Sequence, residues 1–579
     1  GMRQTGYSDF SLLSLSCSDY LALPAVGVEL RNRLADRNVT LQLPSQRVDR
    51  FDQNIAHILG GARQAGLTFA PEAGTQRLRD IVNKGLTDDD LLQGIRTAMQ
   101  NGYRKVKLYF MIGLPGETDA DVLGIAETCR MLQECCRDLG RLSLNTTISN
   151  FTPKPHTPFQ WHSVSTSEFL RRQQLLRDAG RRLRGVRFNF TDVRLSAMED
   201  FVGRGDRRLA PVIEAAWRAG AGMDAWFEAL DRTYNAWTSA IAQAGLEGRY
   251  RQMELGGWTA VSALDRDDLE AFCRQPLPWD HIDSGIDKDW LAKDLQHALA
   301  SSVVPDCSFA ACSSCGVCGP DLGHNVVVTP PEVPAAKPQQ APPSERVCRL
   351  RFRFSKTGAM ALLSHLDLVR LLERALRRTG LPVSFTGGFH PLPRLQLALA
   401  LPLGVEGEGE WMDLEFVEPV NAVMVMERWQ QALPPGLRLI TAEEVAVSSP
   451  SLAQQLLSSR WRFVLSGSQR SSRSDSADWS QAVLDLLAQS ELIWEDTDKK
   501  GRPRRRDVRD LLHGLRVLEL VETSSGLSGC SAELELLAAV DSQGRSLKPA
   551  QVQLWLSQQL GLELSLSRVR RMELALLQC

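Results

Sequence analysis

The sequence has no apolar run approaching the roughly 20 residues needed to span a bilayer, and its start shows no signal-peptide pattern. It lacks an excess of charge of either sign. Lysine and arginine total 67 against 69 aspartates and glutamates, so no global field points to nucleic acid or an acidic membrane, and DNA is not indicated as a partner. Cysteine is also scarce, 12 in 579 residues, too few for a disulfide scaffold; the cytoplasm is the expected compartment. What is present is a globular composition, 43% hydrophobic and 23% charged, long enough for about three or four domains.

The first of these is written as short apolar runs. Val39–Leu43, Leu67–Ala70, Val106–Ile112 and Leu142–Ser149 are each separated from the next by a helix-like stretch. This βα alternation predicts a parallel sheet or barrel with its active site at the carboxyl ends of the strands. The run Leu108–Ile112 breaks into Gly113-Leu114-Pro115-Gly116-Glu117-Thr118, where glycine lets backbone approach a nucleotide closely. On this run alone, an ordinary βα turn is an equal reading.

Three further segments join it in order: Ala70-Pro71-Glu72-Ala73-Gly74-Thr75, Asn83-Lys84-Gly85-Leu86-Thr87 and Phe151-Thr152-Pro153-Lys154-Pro155-His156-Thr157-Pro158. As an ordered set they resemble radical S-adenosylmethionine enzymes, nearest to the cobalamin-associated and methylthiotransferase-like branches. The resemblance implies a partial (βα) barrel, S-adenosylmethionine and a 4Fe-4S cluster as cofactors, and a reductant such as ferredoxin or flavodoxin. It assigns Glu72 to the ribose or amino-acid end of S-adenosylmethionine and Ile112 and Gly113 to the adenine side. Ser14 and Ser16 fall near the methionine moiety, where small polar residues ending a strand are the alternative. The family's C-x3-C-x2-C cluster loop is missing from the sequence. Counting strands back from Ile112 makes Phe10–Ser16 the second, so the first βα unit, its cluster loop and any cobalamin domain are expected upstream of Gly1. These residues as written are expected not to cleave S-adenosylmethionine reductively.

Four cysteines cluster as Cys307-x4-Cys312-x2-Cys315-x2-Cys318. Thiolates at such spacing can converge on one metal centre, either a second iron–sulfur cluster or zinc. Ahead of them, Arg204, Arg207 and Arg208 flank Asp206, a set that reads as an anion clamp or a surface ion-pair network. His281 beside Asp280 is an acid–base candidate or an ordinary surface histidine. These phrases resemble the carboxy-terminal extension of an uncharacterised radical enzyme family. From Gly319 to Arg346 the chain becomes a proline-rich tether.

The last module opens on Val347–Phe354, whose alternation places Arg349, Arg351 and Arg353 on one strand face. A helix follows with Ser364 as its cap, Gly380 at its end and Arg370, Arg374 and Arg377 on one side. The succeeding runs Leu395–Leu401, Trp411–Val417, Ala422–Ala432 and Leu437–Thr441 complete a βαββαβ order, that of a ferredoxin-like sandwich. A second α+β unit is expected from Trp461 to Glu573. Leu363–Asp367, Arg374–Arg378 and Gly387–Arg394 resemble the radical-S-adenosylmethionine-linked domain of unknown function. The aligned arginines, His390 in Gly387-Gly388-Phe389-His390, and the run Lys499–Arg506 suggest RNA or a ribonucleoprotein as partner.

The fold expected is therefore an α/β partial barrel over 1–190, a helical, cysteine-containing extension over 191–318, a linker over 319–346 and an α+β ferredoxin-like module over 347–579. Two functions follow: a radical enzyme fragment that modifies RNA or protein, or a non-catalytic RNA- or protein-binding adaptor on the same scaffold.

Overall fold

The computed structural model describes the chain except residues 15–16, 35–37, 44–45, 61–65, 258–265, 308–309, 319–327, 339–340, 388–390, 469–478, 498–501, 522–530 and 578–579. Ser16, Gly388, Phe389, His390, Lys499, Lys500 and Gly501, singled out above, lie outside the described residues. The chain forms two compact units, one of residues 9–35 and 39–339, the other of residues 1–8, 36–38 and 340–579. No helix among the described residues is long and apolar enough to cross a membrane.

In the first unit β1 (Asp9–Ser11) pairs in parallel with β2 (Thr40–Gln42). The strands β3 (Leu67–Glu72), β4 (Lys105–Ile112), β5 (Ser143–Asn150) and β6 (Val186–Phe190) form a second, four-stranded parallel sheet in chain order. Their sequences alternate. Val106, Leu108, Phe110 and Ile112 are buried, whereas Lys107, Tyr109 and Met111 between them are half-exposed; β3 and β5 repeat the pattern. The apolar side faces the intervening helices, where Leu91, Ile95, Val122, Ile125, Cys129 and Leu176 are buried. A parallel sheet covered on both sides would be apolar on both. Here one face carries Thr68, Lys107, Tyr109, Asn145 and Thr147 and stays partly open. A barrel that does not close has that face inside.

The helices after β6 belong to the same compact unit. Val193–Gly203, Leu209–Arg218, Leu230–Gln243 and Glu247–Glu254 gather around Phe201, Val212, Ala216, Ile241 and Met253, and Lys288–Leu299 buries Leu291 and Leu295 with Trp161.

The second unit repeats one topology. Strand β7 (Cys348–Lys356), helix His365–Thr379, β8 (Leu395–Leu397), β9 (Glu406–Phe416), helix Ala422–Ala432 and β10 (Leu437–Val445) give the antiparallel order β10-β7-β9-β8. The order of elements then recurs: β11 (Leu456–Ser468), helix Trp479–Ala488, a hairpin of β12 (Ile493–Thr497) and β13 (Pro503–Asp507), β14 (Leu512–Val521), β15 (Ser531–Ala539), helix Pro549–Leu560 and β16 (Glu563–Leu576), ordered β16-β11-β15-β14. Parallel pairing of β9 with β16 merges the halves into one sheet. Arg571, 1% exposed, fixes the join: it meets Glu410 at 2.5 Å, donates to the Leu399 and Ala400 carbonyls, and lies over the Trp461 ring.

This sheet corrects the expectation of a free arginine face. Arg349 and Arg351 stand directly opposite Glu415 and Asp413 on β9 and pair with them, each at 2.9 Å, with side chains under a tenth exposed. Arg353 is half-buried beside Gly409, where an added Cβ would lie 2.8 Å from its Nη2. Arg374 donates to the Thr5 carbonyl and covers the Tyr7 ring, and Arg377 is mostly buried near Glu373. Arg370 alone of the set is broadly exposed, paired loosely with Asp367 at 3.4 Å.

Candidate functional site

Glu72 ends β3 with φ 69, a left-handed backbone that a non-glycine residue seldom adopts. The turn in the chain leaves its side chain about a quarter exposed, and Lys84, from the second singled-out segment, reaches it at 2.8 Å. A carboxylate accepts about four hydrogen bonds, so Glu72 keeps acceptor capacity for hydroxyl or ammonium donors. It fits the polar end of a nucleoside sulfonium.

The Gly113 turn is held at both backbone groups. Its N–H donates to Glu117 Oε2 at 2.6 Å, and its carbonyl accepts from His162 Nε2 at 2.9 Å. Burial pushes the Glu117 carboxyl up to about 7 against the pull of its Arg172 partner, and burial pushes His162 down to about 4. Gly113 has φ 89, and a Cβ there would lie 2.3 Å from the Phe169 ring. Its small size is thus used by Phe169, not left free for a ligand. Ile112 is fully buried on the helix side, so only its backbone is available to an adenine ring. Ser14 is exposed.

What sequence reasoning missed is the open face itself. Lys107 donates to the Tyr109 hydroxyl at 2.7 Å, and Asn189 on β6 donates to Asn145 on β5 at 2.6 Å. The signal was present in Lys105-Val106-Lys107-Leu108-Tyr109, an alternation out of place in a doubly covered sheet. Beside the strand ends, a cavity of about 240 Å³ is lined by Asn83, Phe151, Lys154, Phe159, Asp294 and Val304. It is smaller than the roughly 300–1,000 Å³ typical of ligand pockets. Asn83 exchanges two hydrogen bonds with Val304, at 2.9 and 3.1 Å, anchoring the chain just before the cysteine segment.

The structure leaves those cysteines apart. Cys307, Cys312 and Cys318 are exposed and Cys315 half-buried; among the described residues no three His, Cys, Asp or Glu side chains gather to hold a metal. Cys315 offers its carbonyl to the Asp287 amide, and Ser313 accepts from Trp290. As arranged, these residues do not fit an iron–sulfur cluster. The arginine set also divides: Arg204 is buried against Asp200, Arg208 pairs with Asp206, and Arg207 is exposed. Asp280 binds Lys288 and not His281.

Residues 9–129 match the Radical SAM superfamily, and residues 349–549 match a family described as an uncharacterized protein conserved in bacteria, DUF2344. An uncharacterized protein of Methanocaldococcus jannaschii is 29% identical over 214 residues, 37% of this chain and 45% of that relative. The chain thus spans less than half the length of the curated relative it matches. With the parallel sheet and its strand-end carboxylate, these matches show that the chain carries a Radical SAM superfamily domain at its N-terminus together with a DUF2344 domain.

Proposed function

We propose that residues 9–190 bind S-adenosylmethionine across the open face of the β3–β6 sheet, in an iron–sulfur-dependent enzyme that modifies RNA or protein. The observation that carries the reading is Glu72, held in a left-handed backbone at a strand end with Lys84 as its partner. When bound, S-adenosylmethionine would supply a sulfonium centre; Glu72 would receive its polar end, with Lys84 orienting that carboxylate and the backbone of the Gly113 turn beside the adenine.

The two βαββαβ halves, each with its fourth, first, third and second strands side by side, support a ferredoxin-like reading of the DUF2344 unit. RNA contact there rests on Arg370 and on Arg505 of the β12–β13 hairpin, since Arg349 and Arg351 are consumed by ion pairs. The Cys307–Cys318 segment takes a second cluster or zinc only if its sulfurs gather, and cobalamin has no residue assigned to it here.

Calorimetric titration of the full chain with S-adenosylmethionine tests the proposal. Binding that weakens about tenfold or more in Glu72→Gln, the loss of a charge-assisted hydrogen bond, is the expected result. Absence of binding, or binding indifferent to Glu72, overturns it.

A further inference from the structure

The loop after β5 has a second side. Pro155 and His156 border a separate cavity of about 730 Å³, lined also by Asp206, Arg207, Arg208, Trp279, His281 and Ile282. One buried atom ties two of the lining residues together: Gln160 Oε1, on a residue 2% exposed, accepts from the His156 amide at 3.0 Å and from the Trp279 indole N–H at 2.8 Å. The β5 loop and the Leu277–His281 turn are thereby tied together. Asp280 fixes the second turn, accepting from the Leu277 amide at 2.8 Å and the Lys288 ammonium at 2.6 Å.

Two donors remain unspent at this cavity, and His156 lines it beside them. His156 is held at φ 56, with its Nε2 buried away from the open volume. A non-glycine residue in this conformation persists only where its surroundings enforce it, and such residues cluster at functional sites. The Arg207 and His281 side chains are exposed and make no hydrogen bond or ion pair among the described residues. The carboxylate lining the cavity, Asp206, already receives Arg208 at 2.7 Å and Arg249 at 3.1 Å; these guanidiniums hold its carboxyl far below the usual range. The balance of charge is positive.

We propose that this cavity binds a small phosphomonoester, its phosphate taken by Arg207 and His281 above the His156 wall, and its ring or hydrocarbon body laid on Pro155, Pro278 and Ile282. The terminal oxygens of a phosphate suit donors arriving from two separate chain segments, and a guanidinium matches phosphate geometry. The apolar part of the lining calls for an organic body. A metal is not the occupant this set suits, since no three ligating side chains gather among the described residues. Arg207, His156 and His281 all lie outside the stretches matched to known families.

The test is calorimetry on the full chain with phenyl phosphate, inorganic phosphate and an RNA oligonucleotide lacking a terminal phosphate. Phenyl phosphate is expected to bind about tenfold more tightly than inorganic phosphate, because its ring adds buried apolar area. Arg207→Ala and His281→Ala should each weaken it by about tenfold with the melting temperature unchanged. Arg218→Ala, an exposed arginine of helix Leu209–Arg218, should leave it unaltered, and S-adenosylmethionine binding should be the same in all three variants. Failure of phenyl phosphate to bind, binding undiminished by Arg207→Ala, or equal competition by the oligonucleotide overturns the proposal, whatever the result at Glu72.

Discussion

The two sheets of this chain use charged and polar strand residues in opposite ways. In the antiparallel sheet, Arg349, Arg351 and Arg571 sit under a tenth exposed against Glu415, Asp413 and Glu410, so charge is spent on cross-strand complementarity. In the parallel sheet, Lys107, Tyr109, Asn145 and Thr147 lie on a face that stays partly exposed, Lys107 bonded to Tyr109 and Asn145 to Asn189. Alternating polar residues read alike in both sequences. What separates them is the neighbouring strand: where it supplies the opposite charge the residues are structural, and where it supplies more polar groups the face remains available to a ligand.

Removing one partner from the antiparallel sheet should have the largest effect. Arg571→Ala strands Glu410 at the join of the two halves, and chemical denaturation should show a loss of about 3–5 kcal/mol; a loss below about 1 kcal/mol would erase the contrast. The Gly113 turn gives a pH signature of the next size. His162, lowered to about 4, stays neutral when folded while the unfolded chain takes up a proton near its ordinary 6.5; its contribution is full above that value and is lost as pH falls toward 4. Glu117, raised from 4.5 to about 7, works the other way: its contribution is full below 4.5 and is lost as pH rises toward 7. The two offset each other, so wild-type stability should vary little between pH 7 and 4.5. In Glu117→Gln it should fall by up to about 3 kcal/mol on acidification, and a variant as flat as the wild type in urea denaturation across that range would refute the pairing. Smaller still, Lys84→Ala should weaken S-adenosylmethionine binding by a few-fold at unchanged melting temperature, since its partner is only partly buried. Least of all, Thr147→Val on the open face should change stability by no more than about 0.5 kcal/mol, measured in the same denaturation series as Arg571→Ala.

Much of this architecture was legible. The apolar runs locate β2 to β5 within about two residues, and the βαββαβ order was readable because helix and strand periods differ. Strand β6 was missed: Val186-Arg187-Phe188-Asn189-Phe190 is short and only half-buried, with no strong apolar run. The arginines of β7 were misplaced because periodicity gives a face and not its partner. The complement, Asp413-Leu414-Glu415 on β9, lies about 60 residues away and becomes visible only once the register is known. At the site, Glu72 and Lys84 were named in separate segments that the fold brings together, while Ile112 and Gly113 turn their side-chain positions toward the helices. The His156 cavity could not be read ahead, because it joins residues more than 100 positions apart through Gln160.

Hydrogen–deuterium exchange of the full chain with and without S-adenosylmethionine compares the two sheets in one measurement. Slowed exchange is expected at the strand ends around Glu72, Lys84 and Gly113, with β7, β9 and β16 unchanged. Protection confined to the antiparallel sheet, or none at the ends of β3 and β4, would contradict the assignment of the open parallel face as the cofactor side.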